Sequence, residues 1–163
     1  MDVRTLLLQQ WASCLDKEDW FPPLEKVLEN ITLEQAIWKP VEGAHSIWEL
    51  VCHLLFYEKR FLMRFLGETE NEPQAENNEF TFHLPTETLE NWTETKQEYF
   101  YVHRELENIL AKSEHEDLYR QVPREDNSLV LELKSLAMHD AYHIGQIVLL
   151  SKMQGAWAEK RSF

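Results

Sequence analysis

Residues 129–153 read LVLELKSLAMHDAYHIGQIVLLSKM, and the way this stretch folds decides the fold of the chain. It contains no proline, and its one glycine, Gly145, lies well inside. Apolar residues recur at helical spacing at Leu129, Leu133, Leu136, Ile147, Leu150 and Met153, which predicts one long helix with a buried face. His139 and His143 share the stripe of Leu136, Ile147 and Leu150. Residues four apart on a helix are stacked neighbours, so two imidazoles on a core-facing stripe can share one divalent ion. The pair by itself also fits two core histidines hydrogen-bonded to neighbours, and the rest of the chain has to separate the two readings.

Upstream of this helix, residues 113–128 are a linker interrupted by Pro123. Before it, Leu89, Trp92, Tyr99, His103, Leu106 and Leu110 mark one face of a third helix, Glu87–Lys112, with Thr86 as its cap. Residues 68–82 are acidic, carry Pro73 and show no period, which predicts a long loop. Further back, Ser46-x-x-Glu49 is a capping box that opens a helix from Ile47, and Gly67 sits where a C-cap belongs. This second helix is apolar on two sides. Leu50, Val51, Leu54, Phe61 and Phe65 form one, and Trp48, Leu55, Leu62 and Leu66 the other. Two apolar faces need two partners, so a bundle core and a second subunit are expected.

The first helix is Val3–Leu15, with Val3, Leu7, Trp11, Cys14 and Leu15 near one stripe. Phe21-Pro22-Pro23 ends it, and the prolines can open a short helix, Leu24–Asn30. Thr32-x-x-Gln35 caps another short turn that Lys39-Pro40 stops. These broken pieces make the first connection long enough for a crossover rather than a hairpin. After Met153, Gly155 ends the last helix, and Trp157 in the tail is expected to fold back on the bundle. The reading is one all-α domain over residues 1–163, a four-helix bundle with a crossover connection.

Composition agrees. Only four glycines and six prolines interrupt 163 residues, and good helix formers are plentiful. The formal net charge is -13. Sixteen acidic residues against five basic ones fall between Gly67 and Asp126, a surface that repels a phosphate backbone, so no nucleic-acid partner is expected. There is no long charge-free apolar run and no signal-peptide pattern, so neither a membrane span nor export is expected. Cys14 and Cys52 form no CxxC, which predicts a reduced, cytoplasmic protein.

The chemistry lies in three histidines. His53 falls in the middle of the second helix, on the stripe Leu50–His53–Tyr57. If the second and fourth long helices are neighbours, His53 reaches His139 and His143. Three neutral imidazoles suit Zn²⁺, Ni²⁺ or a similar ion, and three protein ligands leave positions for water or substrate. The other candidates are weaker. His103 reads as core or pocket wall. Glu49, one turn before His53, can orient that ring but already has a capping role. Tyr57 and Tyr142 can point hydroxyls into a pocket. Cys52, adjacent to His53, is a poor fourth ligand because it points about 100° away. His45, His83 and His115 read as solvated. No Glu-x-x-His lies in a long helix, against a di-iron bundle, and there is no HExxH or GxSxG.

The segments SIWELVCHLLFYEKRFLMRFLG and HDAYHIGQIVLLSKM resemble the DinB/YfiT-like superfamily, in which a His of the second bundle helix joins a His-x3-His of the fourth. Those positions here are His53, His139 and His143. LEQAIWKPVEGAHSIWELVCH also looks like the approach to the family's first ligand. The resemblance implies a four-helix bundle with an unusual crossover, a bound divalent metal and often a homodimer; zinc or nickel is the ion expected, with a small-molecule substrate. It further implies a thiol-dependent S-transferase as the leading reaction, since relatives join a low-molecular-weight thiol such as bacillithiol to an electrophile and one is a mycothiol-dependent isomerase. The alternatives are a metal-dependent hydrolase and a non-catalytic metal-binding module of the stress response.

Overall fold

The computed structural model describes residues 1–157. Six α-helices run in the order α1 (Val3–Leu15), α2 (Leu24–Leu28), α3 (Leu33–Ile37), α4 (Ile47–Leu66), α5 (Leu89–Lys112) and α6 (Leu129–Met153). The only sheet-like pairing among the described residues is an isolated bridge between Gln121 and Ser128, so the fold is all-α. The end of the tail, residues 158–163, lies outside the described residues. Among the described residues no helix is long and apolar enough to cross a membrane.

The boundaries follow from capping chemistry. Ser46 Oγ accepts the Glu49 amide at 3.2 Å while Glu49 Oε2 accepts the Ser46 amide at 2.7 Å, closing two donors that helix geometry leaves open. Gly67 ends α4 at φ 78°, a left-handed turn that costs glycine nothing. The Thr32–Gln35 box forms as expected. Asp2 caps α1, accepting the Thr5 amide at 2.8 Å. Two starts or stops differ from expectation. α5 begins two residues late, at Leu89, because Thr88 rather than Thr86 accepts the Asn91 amide. The Thr86 carbonyl is taken by a turn to the Thr88 amide and by the Asn91 side chain. α2 stops at Leu28, where the Ile31 amide turns back on the Leu28 carbonyl.

The four long helices touch in a closed order: α1 on α5, α5 on α4, α4 on α6, α6 on α1. The consecutive pairs α1/α4 and α5/α6 therefore sit diagonally. The chain crosses from α1 to α4 by way of α2 and α3, and from α5 to α6 by the linker that holds a 3-10 turn, Asp117–Tyr119. This order makes α4 and α6 neighbours, which is what brings His53 to His139 and His143.

The core runs down the middle of all four helices and is built on Trp11, Trp48, Trp92, Tyr99 and aliphatic residues without exposure. On α6 the buried stripe is Leu129, Leu133, Ala137, Asp140, Ile144, Ile147 and Ser151. Leu136 is only half-buried and Met153 is exposed, so the core face lies partly around the helix from the expected one. The second apolar face of α4 is also used inside the chain. Trp48 is fully buried, tilted against Trp92 with its Nε1–H on Thr95 of α5, and Leu62 is buried too, while Leu66 is exposed. Trp157 packs on the core with Lys152 Nζ 5.5 Å from its ring centroid.

The acidic loop after α4 is anchored rather than formless. The Arg64 guanidinium donates to Glu72 Oε2 at 2.7 Å and Oε1 at 3.2 Å, and to Glu125 Oε1 at 2.6 Å. Arg124 and Gln74 donate to Glu72 as well. The Glu72 carboxyl is held down to about 2, chiefly by the hydrogen bonds from Arg64. A depressed carboxyl stabilises the fold above its unfolded range and loses that contribution as pH falls through the folded value. Arg64→Met is therefore expected to lower stability at neutral pH, with the deficit shrinking toward zero as pH approaches about 2, as read by urea unfolding across that range.

Candidate metal centre

His53 of α4 and His139 and His143 of α6 converge with their ligand atoms within 4.8 Å of one another. His139 Nε2 lies 3.0 Å from His53 Nε2 and 3.1 Å from His143 Nε2. His53 and His143 are buried and His139 is half-buried.

Two of the three rings are held from behind. Thr81 donates its hydroxyl proton to the Asn78 carbonyl at 2.6 Å, so its remaining lone pairs accept the Nδ1–H of His53 at 2.5 Å. That fixes the tautomer and leaves the Nε2 lone pair facing the other imidazoles. His143 Nδ1–H donates to Gln146 Oε1 at 2.7 Å, with the same consequence at its Nε2. A ring whose far nitrogen is engaged by a hydroxyl or amide oxygen is the usual setting of a metal-ligating histidine.

Burial keeps all three neutral. His53 is lowered to about 3, first by desolvation and then by its two neighbours. His139 is lowered to about 4, again first by desolvation. His143 is lowered by desolvation, which the Gln146 hydrogen bond opposes. Neutral imidazoles in the ligating tautomer are what a divalent ion requires. The spacing fits as well: nitrogens sharing an ion at roughly 2.0–2.1 Å lie about 2.9–3.4 Å apart between octahedral and tetrahedral angles. With no ion, nitrogen lone pairs face one another at 3.0–3.1 Å with at most one proton on His139 Nε2 to share. The residues present fit a divalent metal.

The loop before α5 supplies the roof. A 3-10 turn, Asn78–Phe82, carries both Thr81 and Phe82 into the site. The Phe82 ring stacks on His53 at 3.9 Å and on His45 at 3.8 Å, both nearly parallel. Tyr57 donates its hydroxyl to Asn78 Oδ1 at 3.0 Å, tying α4 to the turn, and its ring stands edge-on to His53 and His139. A cleft of about 620 Å³ lies beyond this roof, lined by His45, Glu49, Phe80, Phe82 and Leu84 among others. None of the three imidazoles lines it.

Other candidates divide. Glu49 does not touch His53; it caps α4 and pairs with Lys39 at 2.7 Å. Cys52 is pushed up to about 12 by burial, so it offers no thiolate. His103 is a core residue with no exposure. Tyr142 is exposed, with its ring edge-on to His143. His45 is not free in solvent but stacked on Phe82 and 3.9 Å from Glu49. His83 and His115 are exposed. Sequence reading missed Thr81, Phe82 and Gln146. Gln146 had a signal, lying three residues after His143 on the same helix face. Thr81 and Phe82 had none, since a loop with no period hides what it folds onto.

Thr81→Val removes the acceptor of the His53 N–H while keeping the shape. Metal affinity is expected to fall roughly 10–100-fold, with Thr81→Ser near wild type, measured by competition with a chromophoric chelator.

Residues 23–147 match the DinB superfamily. No curated protein and no solved structure matches the chain.

Proposed function

The chain belongs to the DinB superfamily, and on that premise we propose that it is a divalent-metal-dependent enzyme that transfers a low-molecular-weight thiol to a small electrophile. The observation that carries this reading is the set of three neutral imidazoles, two in fixed ligating tautomers, with no fourth His, Cys, Asp or Glu in the group among the described residues. Three protein ligands leave positions for an exchangeable ligand. A bound divalent ion would supply a Lewis acid that brings the pKa of a thiol or water down toward neutral.

The chain's own residues do the rest. Thr81 and Gln146 hold His53 and His143 in register, so little reorganisation is needed when charge develops. Phe82 covers one side of His53 and keeps water from it. Tyr57 secures the turn that places both Thr81 and Phe82. In the transfer the sulfur bonds to the electrophilic carbon, the leaving group departs with its electron pair, and the thiol proton passes to solvent.

The test is a panel of thiols and chromogenic electrophiles with zinc- or nickel-loaded protein. Thiol consumption that needs the metal and disappears in His143→Ala supports the reading. Metal-dependent ester or amide hydrolysis with no thiol requirement would replace it with a hydrolase.

A further inference from the structure

A second group of ligand-type side chains lies in the core, separate from the imidazole centre. Glu58 of α4, His103 of α5 and Asp140 of α6 offer ligand atoms within 4.8 Å of one another, and all three residues have no exposure. Asp140 follows His139 directly, so it points about 100° around α6 from it, toward the core rather than the imidazoles.

His103 is locked from outside the group. Its Nε2–H donates to the Trp11 carbonyl at 3.1 Å, and Trp11 Nε1–H donates to the His103 carbonyl at 3.0 Å. The two rings stack at 4.1 Å and 16°. The other ring nitrogen, Nδ1, faces Glu58 Oε1 at 2.7 Å, the Tyr99 hydroxyl at 3.5 Å and Asp140 Oδ2 at 3.9 Å. Three carboxylate oxygens, Glu58 Oε2 and both of Asp140, have no hydrogen-bond partner. Among the described residues neither carboxylate has an ion pair with Lys or Arg; besides His103, Glu58 meets the Tyr99 hydroxyl, and the two carboxyl groups meet each other.

Two buried carboxylates beside a neutral imidazole carry two negative charges that a packed core does not tolerate unbalanced. Two protons or one divalent cation can balance them. Protons suffice for a Glu58 O–H to His103 Nδ1 and one bond between the carboxyls, which leaves an Asp140 oxygen bare. A cation engages Nδ1 and both carboxylates. The His103 ring, with its far N–H on a backbone carbonyl, has the orientation that metal-ligating imidazoles take.

We propose that Glu58, His103 and Asp140 form a second, closed cation site for a first-row divalent metal such as zinc, manganese or iron, which suit mixed nitrogen and carboxylate ligands. It is structural: it ties α4, α5 and α6 together and, through the Trp11–His103 lock, α1. Both carboxylates can bind through two oxygens, so Glu58, Asp140 and His103 Nδ1 together can fill the shell of an ion in this buried place without water, which three single-nitrogen imidazoles cannot.

The decisive protein is His143→Ala, which lacks the first centre. Refolded with excess Zn²⁺ or Mn²⁺ and dialysed, it is expected to retain one equivalent, released only on unfolding with a chelator. X-ray absorption of the zinc form is expected to show one nitrogen with oxygen ligands. Glu58→Gln added to His143→Ala loses that equivalent. A natively folded His143→Ala protein that takes up no zinc, manganese or ferrous ion overturns the proposal, as does retained metal with only imidazole ligands. So does an infrared band of protonated buried carboxylic acid that is present in the metal-treated protein and absent from Glu58→Gln. None of these outcomes bears on the imidazole centre, whose own loss is measured by comparing wild type with His143→Ala.

Discussion

His139→Ala is expected to take up one equivalent of divalent metal fewer than wild type, with affinity at the imidazole centre down by more than the roughly 10–100-fold that loss of a supporting hydrogen bond costs. His139 is the middle ligand: its Nε2 is within 3.1 Å of both partners, whereas His53 and His143 meet it rather than being linked by a hydrogen-bond contact of their own. Removing it leaves one imidazole on α4 and one on α6, in ring contact at 4.7 Å but without the nitrogen that meets both. Thiol-transfer activity is expected to disappear with the metal. The fold is expected to survive, because His139 is half-buried and no core packing depends on it alone. Equilibrium dialysis followed by elemental analysis reads the first effect, and near-UV circular dichroism checks the second.

Trp48→Ala is expected to destabilise the protein by about 3–5 kcal/mol, the range for emptying a buried tryptophan site. Trp48 has no exposure, tilts against Trp92 at 5.5 Å, and donates to Thr95 at 3.1 Å. It holds α4 on α5, and α4 carries His53. Domains of this size have total stabilities of about 5–15 kcal/mol, so the variant should unfold far earlier in denaturant. The three imidazoles converge only in the folded chain, so if the centre takes zinc, the ion at 100 times its dissociation constant should recover about 2.7 kcal/mol of that loss. Urea unfolding with and without zinc measures both numbers. A variant that loses stability but regains nothing with zinc would separate the packing of α4 from the formation of the centre.

Where sequence and structure agree, the signal was local. The bounds of α1, α4 and α6 match: Asp2 caps α1, Ser46 and Gly67 close the ends of α4, and the apolar period alone marks α6, whose Ser128 makes no side-chain cap. The three histidines were legible because two sit one turn apart on α6 and the third lies mid-helix on α4. Their meeting required only that the two helices be neighbours, which the diagonal crossings provide. What stayed hidden depends on distant partners. The aperiodic loop gave no hint that Thr81 would orient His53 or that Phe82 would stack between His53 and His45. Asp140 and Glu58 were invisible as core residues because an acid is ordinarily placed outside, and only the convergence of three helices shows that both are buried. The two-sided apolar pattern of α4 is the ground for expecting a second subunit; of its second face, Trp48 and Leu62 are buried within the chain and Leu66 is exposed.

Anomalous diffraction at the zinc absorption edge, from crystals grown with zinc in excess, shows whether the three imidazoles share an ion. A peak is expected at the point shared by Nε2 of His53, His139 and His143, with His53 still on Thr81 and His143 still on Gln146. The absence of a peak there, with the three imidazoles hydrogen-bonded only to one another or to solvent, would contradict a shared ion.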